Sequence, residues 1–507
     1  MSILDKKYVK FGLAIIYILA IVLTFYSRYS KHNLNLPVGC DEFGYLQMAK
    51  AVSNGRLFEN HAERPFAAEL ILYLKNSRYG YKDYSHLIAP HAYHLDAGKK
   101  KIINQYPPGT GLLLSLLPWD SRKVLAPALY AFLLALFLLI AFKIGNGQIT
   151  FFHLNFLAVA AYFFYDVSPL KGQFSYISSV APTYGILLAA GYLLEVRPAL
   201  SILLLGLASV FRIANAIFLI PFFILYAGMQ RRTPGVWNSV WRKTAKAVVL
   251  FLAGGFWIYV AYVWILLGNP LSSTYSYFDR AASLKNIFHN MSFYFFKQNQ
   301  WFILHIILLI LIVIMSAFWK RSRKWVGAAL AIAGLNYVYL LIHTVTIDYY
   351  PYASSILLLG ILLFQLEQRI KLTNIAKAIS VIGTLILGAS IIFLLTKFSK
   401  QDFKASLQNQ LKEYRDCFSG YDVVWAELRS GTIEYATGKA SFRYLWGPDK
   451  VRADVIRWLK AHHYKQAIWV SDINVSSQAR VEEFLKSVSE PYVVKASPEF
   501  GKIIEIE

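Results

Sequence analysis

Asp41 and Glu42 are adjacent carboxylates in the stretch Val38-Gly39-Cys40-Asp41-Glu42-Phe43-Gly44-Tyr45-Leu46-Gln47-Met48-Ala49. A carboxylate beside a reacting hydroxyl can act as a general base, and a pair can hold a hard divalent cation through oxygen. The same residues also suit the start of a helix, Asp41 as its N-cap and Glu42 as a first-turn acid, with no chemistry involved. The spacing of Tyr45, Met48 and Val52 predicts a short amphipathic helix from Asp41 to Ser53, stopped by Asn54-Gly55 and lying along a membrane surface.

A second stretch reads Asn104-Gln105-Tyr106-Pro107-Pro108-Gly109-Thr110-Gly111-Leu112-Leu113-Leu114. Its prolines hold Tyr106 extended, and its glycines and Thr110 let the backbone turn into a new helix. The expectation is an exposed helix N-terminus whose N–H groups and positive dipole end suit a phosphate or the carboxylates. As structure alone, it is a loop-to-helix junction. Arg212 stands between two apolar runs in Ser209-Val210-Phe211-Arg212-Ile213-Ala214-Asn215, where an unpaired cation is costly, and is the first candidate to meet a phosphate. The competing reading is that it snorkels to head groups. Lys171 and Arg280 lie in polar loops and could serve likewise, or be solvated surface charges. His86, His91 and His94 form H-x4-H-x2-H without clean metal-ligand spacing, and read as surface or acceptor-groove histidines. His305 and His343 read as interhelical hydrogen-bonding residues.

Composition says what must position these groups. Of 507 residues, 56% are hydrophobic and 16% aromatic, in several long apolar runs, which excludes an ordinary soluble protein. The formal net charge of +23 falls largely in short loops between apolar runs, where it sets topology and meets anionic head groups. Nucleic acid is therefore excluded as a partner, and membrane lipids are included. Phe11 to about Tyr26 follows Lys6-Lys7 and no cleavage site follows it, so it reads as a retained anchor with a cytoplasmic N-terminus. Residues 28–108 are too polar to cross and too long for a connector, and are expected to form an extracytoplasmic loop domain with a hairpin at Asp96-Ala97-Gly98.

Further spans are expected near 124–142, 149–165, 179–195, 198–211, 213–229, 247–268, 301–319, 325–346, 352–368 and 378–397, about eleven in all. Alternating sides from a cytoplasmic start puts the basic loops at 231–246, 320–324 and 369–377 inside and the C-terminus outside. After Phe398 the pattern is soluble: strand-like at 421–425, 432–435, 467–470, 492–494 and 503–504, helix-like at 451–462 and 479–488. The expected fold class is a polytopic α-helical membrane protein, with a transmembrane domain over 1–397 and a small soluble α/β domain over 398–507 outside the membrane. Cys40 and Cys417 both fall outside the cytoplasm, where one bridge is chemically allowed and unpaired thiols are the expectation.

Taken together, a first span, Asp41-Glu42, an aromatic helix ending in Asn54-Gly55, a loop closing on Tyr106-Pro107-Pro108-Gly109 and an apolar helix resemble the GT-C superfamily of integral-membrane glycosyltransferases. Within it the chain resembles bacterial members allied to the lipid A aminoarabinose transferases and protein O-mannosyltransferases. The likeness is at motif level over about residues 1–145 and continues in topology to the last span. It implies a cell-envelope enzyme of the bacterial inner (plasma) membrane, working on the extracytoplasmic face. The donor it implies is a sugar on a polyprenyl phosphate, and the acceptor a protein, glycan or lipid. It implies Asp41 as the catalytic carboxylate with Glu42 as the adjacent candidate, acting as base or holding a divalent cation, Mg or Mn, since members differ in metal use. The donor phosphate would meet Arg212 and Tyr106, with Lys171 and Arg280 as further candidates. One departure stands in Thr346-Ile347-Asp348-Tyr349-Tyr350-Pro351-Tyr352: many relatives carry a basic residue there, and here Asp348 leaves only Tyr349 and Tyr350, which an interfacial aromatic belt would explain equally.

A transporter or flippase of lipid-linked sugars is the alternative, and predicts ionisable residues or broken helices near mid-span. A non-catalytic scaffold displaying the tail is a third reading. Convergence of Asp41, Tyr106 and Arg212 on one outward-facing cavity would separate the enzyme from both.

Overall fold

The computed structural model describes residues 7–29, 40–56, 59–60, 66–96, 101–118, 121–167, 171–174, 176–229, 236–272, 274, 284–317, 323–343, 350–370, 374–397, 403–427, 429–444, 446–470, 481–482, 485, 491–497 and 501–506. The apolar runs are helices. Five among the described residues are long and apolar enough to cross a membrane: Tyr8–Tyr29, Arg122–Asn146, Trp241–Leu267, Gln300–Ala317 and Trp325–Ile342. Six shorter apolar helices accompany them, at Phe151–Tyr165, Ala181–Leu193, Pro198–Phe211, Ile213–Tyr226, Tyr352–Gln368 and Ala378–Ile392. The chain thus has the build of a helical membrane protein, with a small sheet near its C-terminus.

In chain order, α1 (Lys7–Tyr29) leads to α2 (Cys40–Ser53), a short strand β1 (Glu59–Asn60), α3 (Ala67–Asn76), α4 (Tyr81–Tyr84), the hairpin β2 (Tyr93–Asp96) and β3 (Lys101–Asn104), and α5 (Pro108–Ser115). The bundle continues with α6 (Arg122–Asn146), α7 (Phe151–Tyr162), α8 (Tyr184–Leu193), α9 (Pro198–Phe211), α10 (Leu219–Met229), α11 (Val236–Phe251) and α12 (Trp257–Leu267). Then come α13 (Ile287–Met291), α14 (Gln300–Ala317), α15 (Arg323–Ile342), α16 (Tyr352–Ile370) and α17 (Asn374–Lys397). The tail comprises α18 (Phe403–Phe418), β4 (Val423–Ala426), α19 (Ser430–Thr437), β5 (Ala440–Arg443), α20 (Asp449–Ala461), β6 (Gln466–Val470), β7 (Tyr492–Ser497) and β8 (Gly501–Ile506).

Every residue of α8 is buried, as an all-apolar helix at the centre of a bundle must be. It meets α16 backbone to backbone: a Cβ on Gly191 would stand 2.3 Å from the Leu357 carbonyl oxygen. Small residues permit that approach where no hydrophobic effect drives helices together. Polar pins add specificity. The Tyr17 hydroxyl donates to Asn155 Oδ1 at 2.8 Å, and Thr384 donates to the same oxygen at 3.2 Å, tying α1, α7 and α17. His305 lies 2.6 Å from Ser354 Oγ and 2.7 Å from the Trp301 carbonyl, which matches its reading as an interhelical hydrogen-bonding residue. At the opposite helix ends, His153 Nε2 meets Glu367 at 2.5 Å while its Nδ1 accepts the Thr150 N–H at 2.9 Å, and Tyr192 donates to the same carboxylate.

The first loop and the tail fold against each other rather than apart. The loop sheet has order β1-β3-β2, all antiparallel; the tail sheet has order β5-β4-β6-β8-β7, with β5, β4 and β6 parallel and the last two antiparallel. Phe66, Leu70, Leu74 and Leu87 of the loop share one buried cluster with Val423, Trp425, Phe442 and Ile456 of the tail. Backbone bonds seal the seam: Arg443 N–H donates to the Leu87 carbonyl at 2.9 Å, and His91 N–H to Ser430 Oγ at 2.9 Å.

Several expectations are corrected. Residues 432–435 are not a strand but part of α19, because Ile433 and Ala436 face one buried cluster at helical spacing and Gly438 closes the helix at a positive φ of 71°. The strand β5 and the helix α18 carry no expectation from the sequence. The helix around the carboxylates starts at Cys40, so Asp41 is in the first turn, and residues 42–49 are all buried. Its residues 42–49 are enclosed by α5, the hairpin and α19, while Lys50 and Ser53 at its C-terminal end are exposed. Residues 108–111 are also buried, so the start of α5 is not an exposed N-terminus. The helix expected at 479–488 falls mostly outside the described residues.

Candidate active site

Asp41 is held by the hairpin. Its Oδ1 accepts the Tyr106 hydroxyl at 2.6 Å. Tyr106 is fixed in turn: its N–H donates to Asn104 Oδ1 at 2.9 Å, and Asn104 Nδ2 donates to the Gly44 carbonyl at 2.6 Å on α2 itself. The Tyr106 ring lies 4.9 Å from that of Tyr45 and presses on Gly44, where a Cβ would stand 2.6 Å away. Asp41 is half-buried at the edge of this arrangement.

Glu42, one residue on, is only 3% exposed. Its Oε2 pairs with Lys123 Nζ at 3.0 Å and its Oε1 accepts the Ile177 N–H at 3.1 Å. A buried ion pair whose second oxygen is also satisfied is the arrangement such a pair requires. The two carboxylates therefore sit in different environments, Asp41 partly open and Glu42 enclosed.

Arg212 is an extended residue between α9 and the turn that opens α10. Its guanidinium lies over Tyr350, 4.6 Å from the ring centroid, and 5.8 Å from that of Tyr352, with Nη1 3.5 Å from Ser179 Oγ. Aromatic faces support a cation without neutralising it. Two short segments connect this arginine to the carboxylates. The segment from Tyr106 to Gly109 touches Asp41 at one end and the backbone of Val210 and Phe211 at the other, 2.8 Å from where a Gly109 Cβ would be. The segment from Ile177 to Ser179 touches Glu42 and Arg212.

Lys171 has its backbone in the turn Lys171–Phe174, close before Ile177, and its side chain lies outside the described residues. Arg280, Asp348 and Tyr349 lie outside them entirely, as does the Cys40 side chain on which a bridge to Cys417 would depend. Tyr350 is against both Arg212 and the His343 ring, whose centroid is 5.3 Å away. Sequence reasoning missed Lys123, Ser179 and Tyr352. Only Lys123 left a signal, a lysine opening an apolar run where a cation needs a partner.

Two of the three histidines are not at the surface, and His91 is half-buried. His86 and His94 are buried under the tail, their rings 5.8 Å apart, with Trp446 4.9 Å from His86 and Arg443 Nε donating to the His86 carbonyl at 3.2 Å. Burial first, and then the Arg443 charge, pulls His86 and His91 down to about 3 and His94 to about 4. Among the described residues no group of three His, Cys, Asp or Glu side chains could hold a metal ion. The carboxylate pair does not fit a shared cation either, since both Glu42 oxygens are engaged by Lys123 and a backbone N–H.

No protein-family model matches the chain, and no curated protein matches it in sequence.

Proposed function

We propose that the protein is a GT-C-type membrane glycosyltransferase that moves a sugar from a polyprenyl-phosphate donor to an extracytoplasmic acceptor hydroxyl on a protein, glycan or lipid. The observation that carries this reading is the pairing of a half-buried carboxylate, oriented by Tyr106, with an arginine on an aromatic platform connected to it through two short segments. In the step we propose, Asp41 takes the proton of the acceptor hydroxyl as its oxygen bonds to the anomeric carbon. The bond from that carbon to the phosphate oxygen breaks, and the lipid phosphate leaves with the electron pair toward Arg212, whose charge offsets it. Tyr106 orients the base rather than binding phosphate, and Glu42 with Lys123 anchors the helix that carries Asp41.

The resemblance to GT-C enzymes in the two motifs supports this reading, as does the seating of both motifs against one another. The transporter reading draws on the break at Gly255, in the middle of the span Trp241–Leu267, and on the buried His153–Glu367 pair, but that pair lies in the first turn of α7 and the last turn of α16 and the break carries no ionisable residue. The test is transfer of labelled sugar from polyprenyl-phosphate donors to membrane acceptors. Wild-type transfer lost in Asp41→Asn at equal folded abundance supports the reading. Undiminished transfer in that variant overturns it.

A further inference from the structure

A groove of about 260 Å³ runs between α1, α7 and α17, away from the carboxylates. It exists because small residues recede on all three helices, Ala20 on α1, Ala161 on α7 and Ala389 on α17, and its walls are almost wholly apolar. Tyr162 on its rim is exposed, so the groove opens sideways, where a bundle helix meets lipid. At its upper end Thr24 lines the wall, and Arg28 follows one helical turn later, about 6 Å further along the axis.

Arg28 is exposed, and its guanidinium stands 5.7 Å from the ring centroid of Tyr165, which also lines the groove. Tyr165 is itself fixed, its carbonyl accepting the Tyr29 hydroxyl at 2.7 Å and its ring edge-on to Phe25 at 5.5 Å. A positive charge therefore stands beyond the head of a preformed apolar recess, over one of its lining rings. The volume lies just under the range of about 300–1,000 Å³ for pockets that enclose a whole ligand, so it takes part of one hydrocarbon chain and not a head group. Arg212 belongs to the α9–α10 junction, so the two charges serve different helices.

We propose that this groove is a binding site for one acyl chain of an anionic bilayer phospholipid whose phosphate meets Arg28. The bilayer itself supplies this ligand in excess, and the site stands independently of the catalytic reading. A lipid seated there bridges α1, α7 and α17 next to the Tyr17–Asn155–Thr384 hydrogen bonds, which join the same three helices just before the groove begins.

The test uses full-length protein in liposomes carrying trace phosphatidylglycerol or phosphatidylcholine with a diazirine in one acyl chain, the adducts being mapped by peptide mass spectrometry. Wild type should label at residues 20–24, 161–165 and 386–390, with phosphatidylglycerol favoured about fivefold, the scale of one basic residue's attraction for an anionic lipid. Arg28→Gln, at an exposed position, should abolish the preference while leaving the labelling. Ala161→Phe or Ala389→Phe should remove the labelling itself. Equal labelling by both lipids in wild type, or labelling no denser than on the exposed α14 side chains Ile303 and Ile310, overturns the proposal. So does displacement of the label by an equal fraction of polyprenyl phosphate, which would assign the groove to a carrier lipid.

Discussion

Replacing Asp41 by Asn keeps the shape of the side chain and removes its capacity to take a proton. Transfer should fall at least about 100-fold, the usual scale of a lost general base, with the melting temperature unchanged. Tyr106→Phe loses only the hydroxyl that orients Asp41, and should lower kcat by roughly 10- to 100-fold while leaving KM in place. Glu42→Gln acts differently, because it removes the negative charge that pairs with the buried Lys123. We expect about 3–5 kcal/mol of lost stability, read as melting temperature in detergent, and substantial recovery when Lys123→Met is added. At this scale the sequence disclosed the two motifs but not the different surroundings of the two carboxylates. Asp41 and Glu42 are chemically alike and adjacent; what separates them is a lysine and a backbone N–H brought from distant segments, which no local spacing encodes. Arg212 could be singled out because an arginine between apolar runs needs a partner, whereas the rings beneath it looked like any interfacial aromatics.

The helix that matters most beyond the motifs is α19. Gly431 faces the Phe43 ring of α2, and a Cβ there would stand 2.2 Å from it. Gly431→Val should push α19 off α2, lower transfer and speed hydrogen exchange over residues 430–437, and Phe43→Ala in the same chain should restore much of the protection. The histidine cluster beside it sets a pH limit on the docking. Unfolded histidine takes up a proton near pH 6.5, but His86, His91 and His94 resist it until about pH 3–4, so stability is complete above pH 6.5 and is lost as the pH falls toward 4. Exchange in residues 85–95 and 430–446, corrected for its intrinsic rate, should accelerate across that window, and His94→Gln should flatten the response. The sequence misled here for a physical reason. Thr432-Ile433-Glu434-Tyr435 carries the β-branched and aromatic types of a strand, and tertiary packing on Phe43 overrides that preference. The hairpin at β2 and β3 was legible, because a turn signal between apolar residues is a local code.

Across the whole molecule, the apolar helices fall where hydropathy places them, since the length and composition of a membrane-crossing run are properties of a single segment. The union of the first loop with the tail was not legible, because Leu70 and Phe442 share a core only after everything between them has folded. Removal of residues 398–507 should therefore do more than delete a domain: it uncovers Phe66, Leu70 and Leu74, and limited proteolysis should cut the loop between residues 66 and 95 in the shortened chain but not in the full one. Timing follows from the same feature. His86 and Arg443, which clasp across the seam, are 357 positions apart, so at about 5–20 residues per second a ribosome needs roughly 20 to 70 s to deliver the second after the first. For that interval the newborn loop waits with its oily face bare, and cells short of a chaperone that reaches the loop should degrade this protein early in its life, while sparing the copies already assembled.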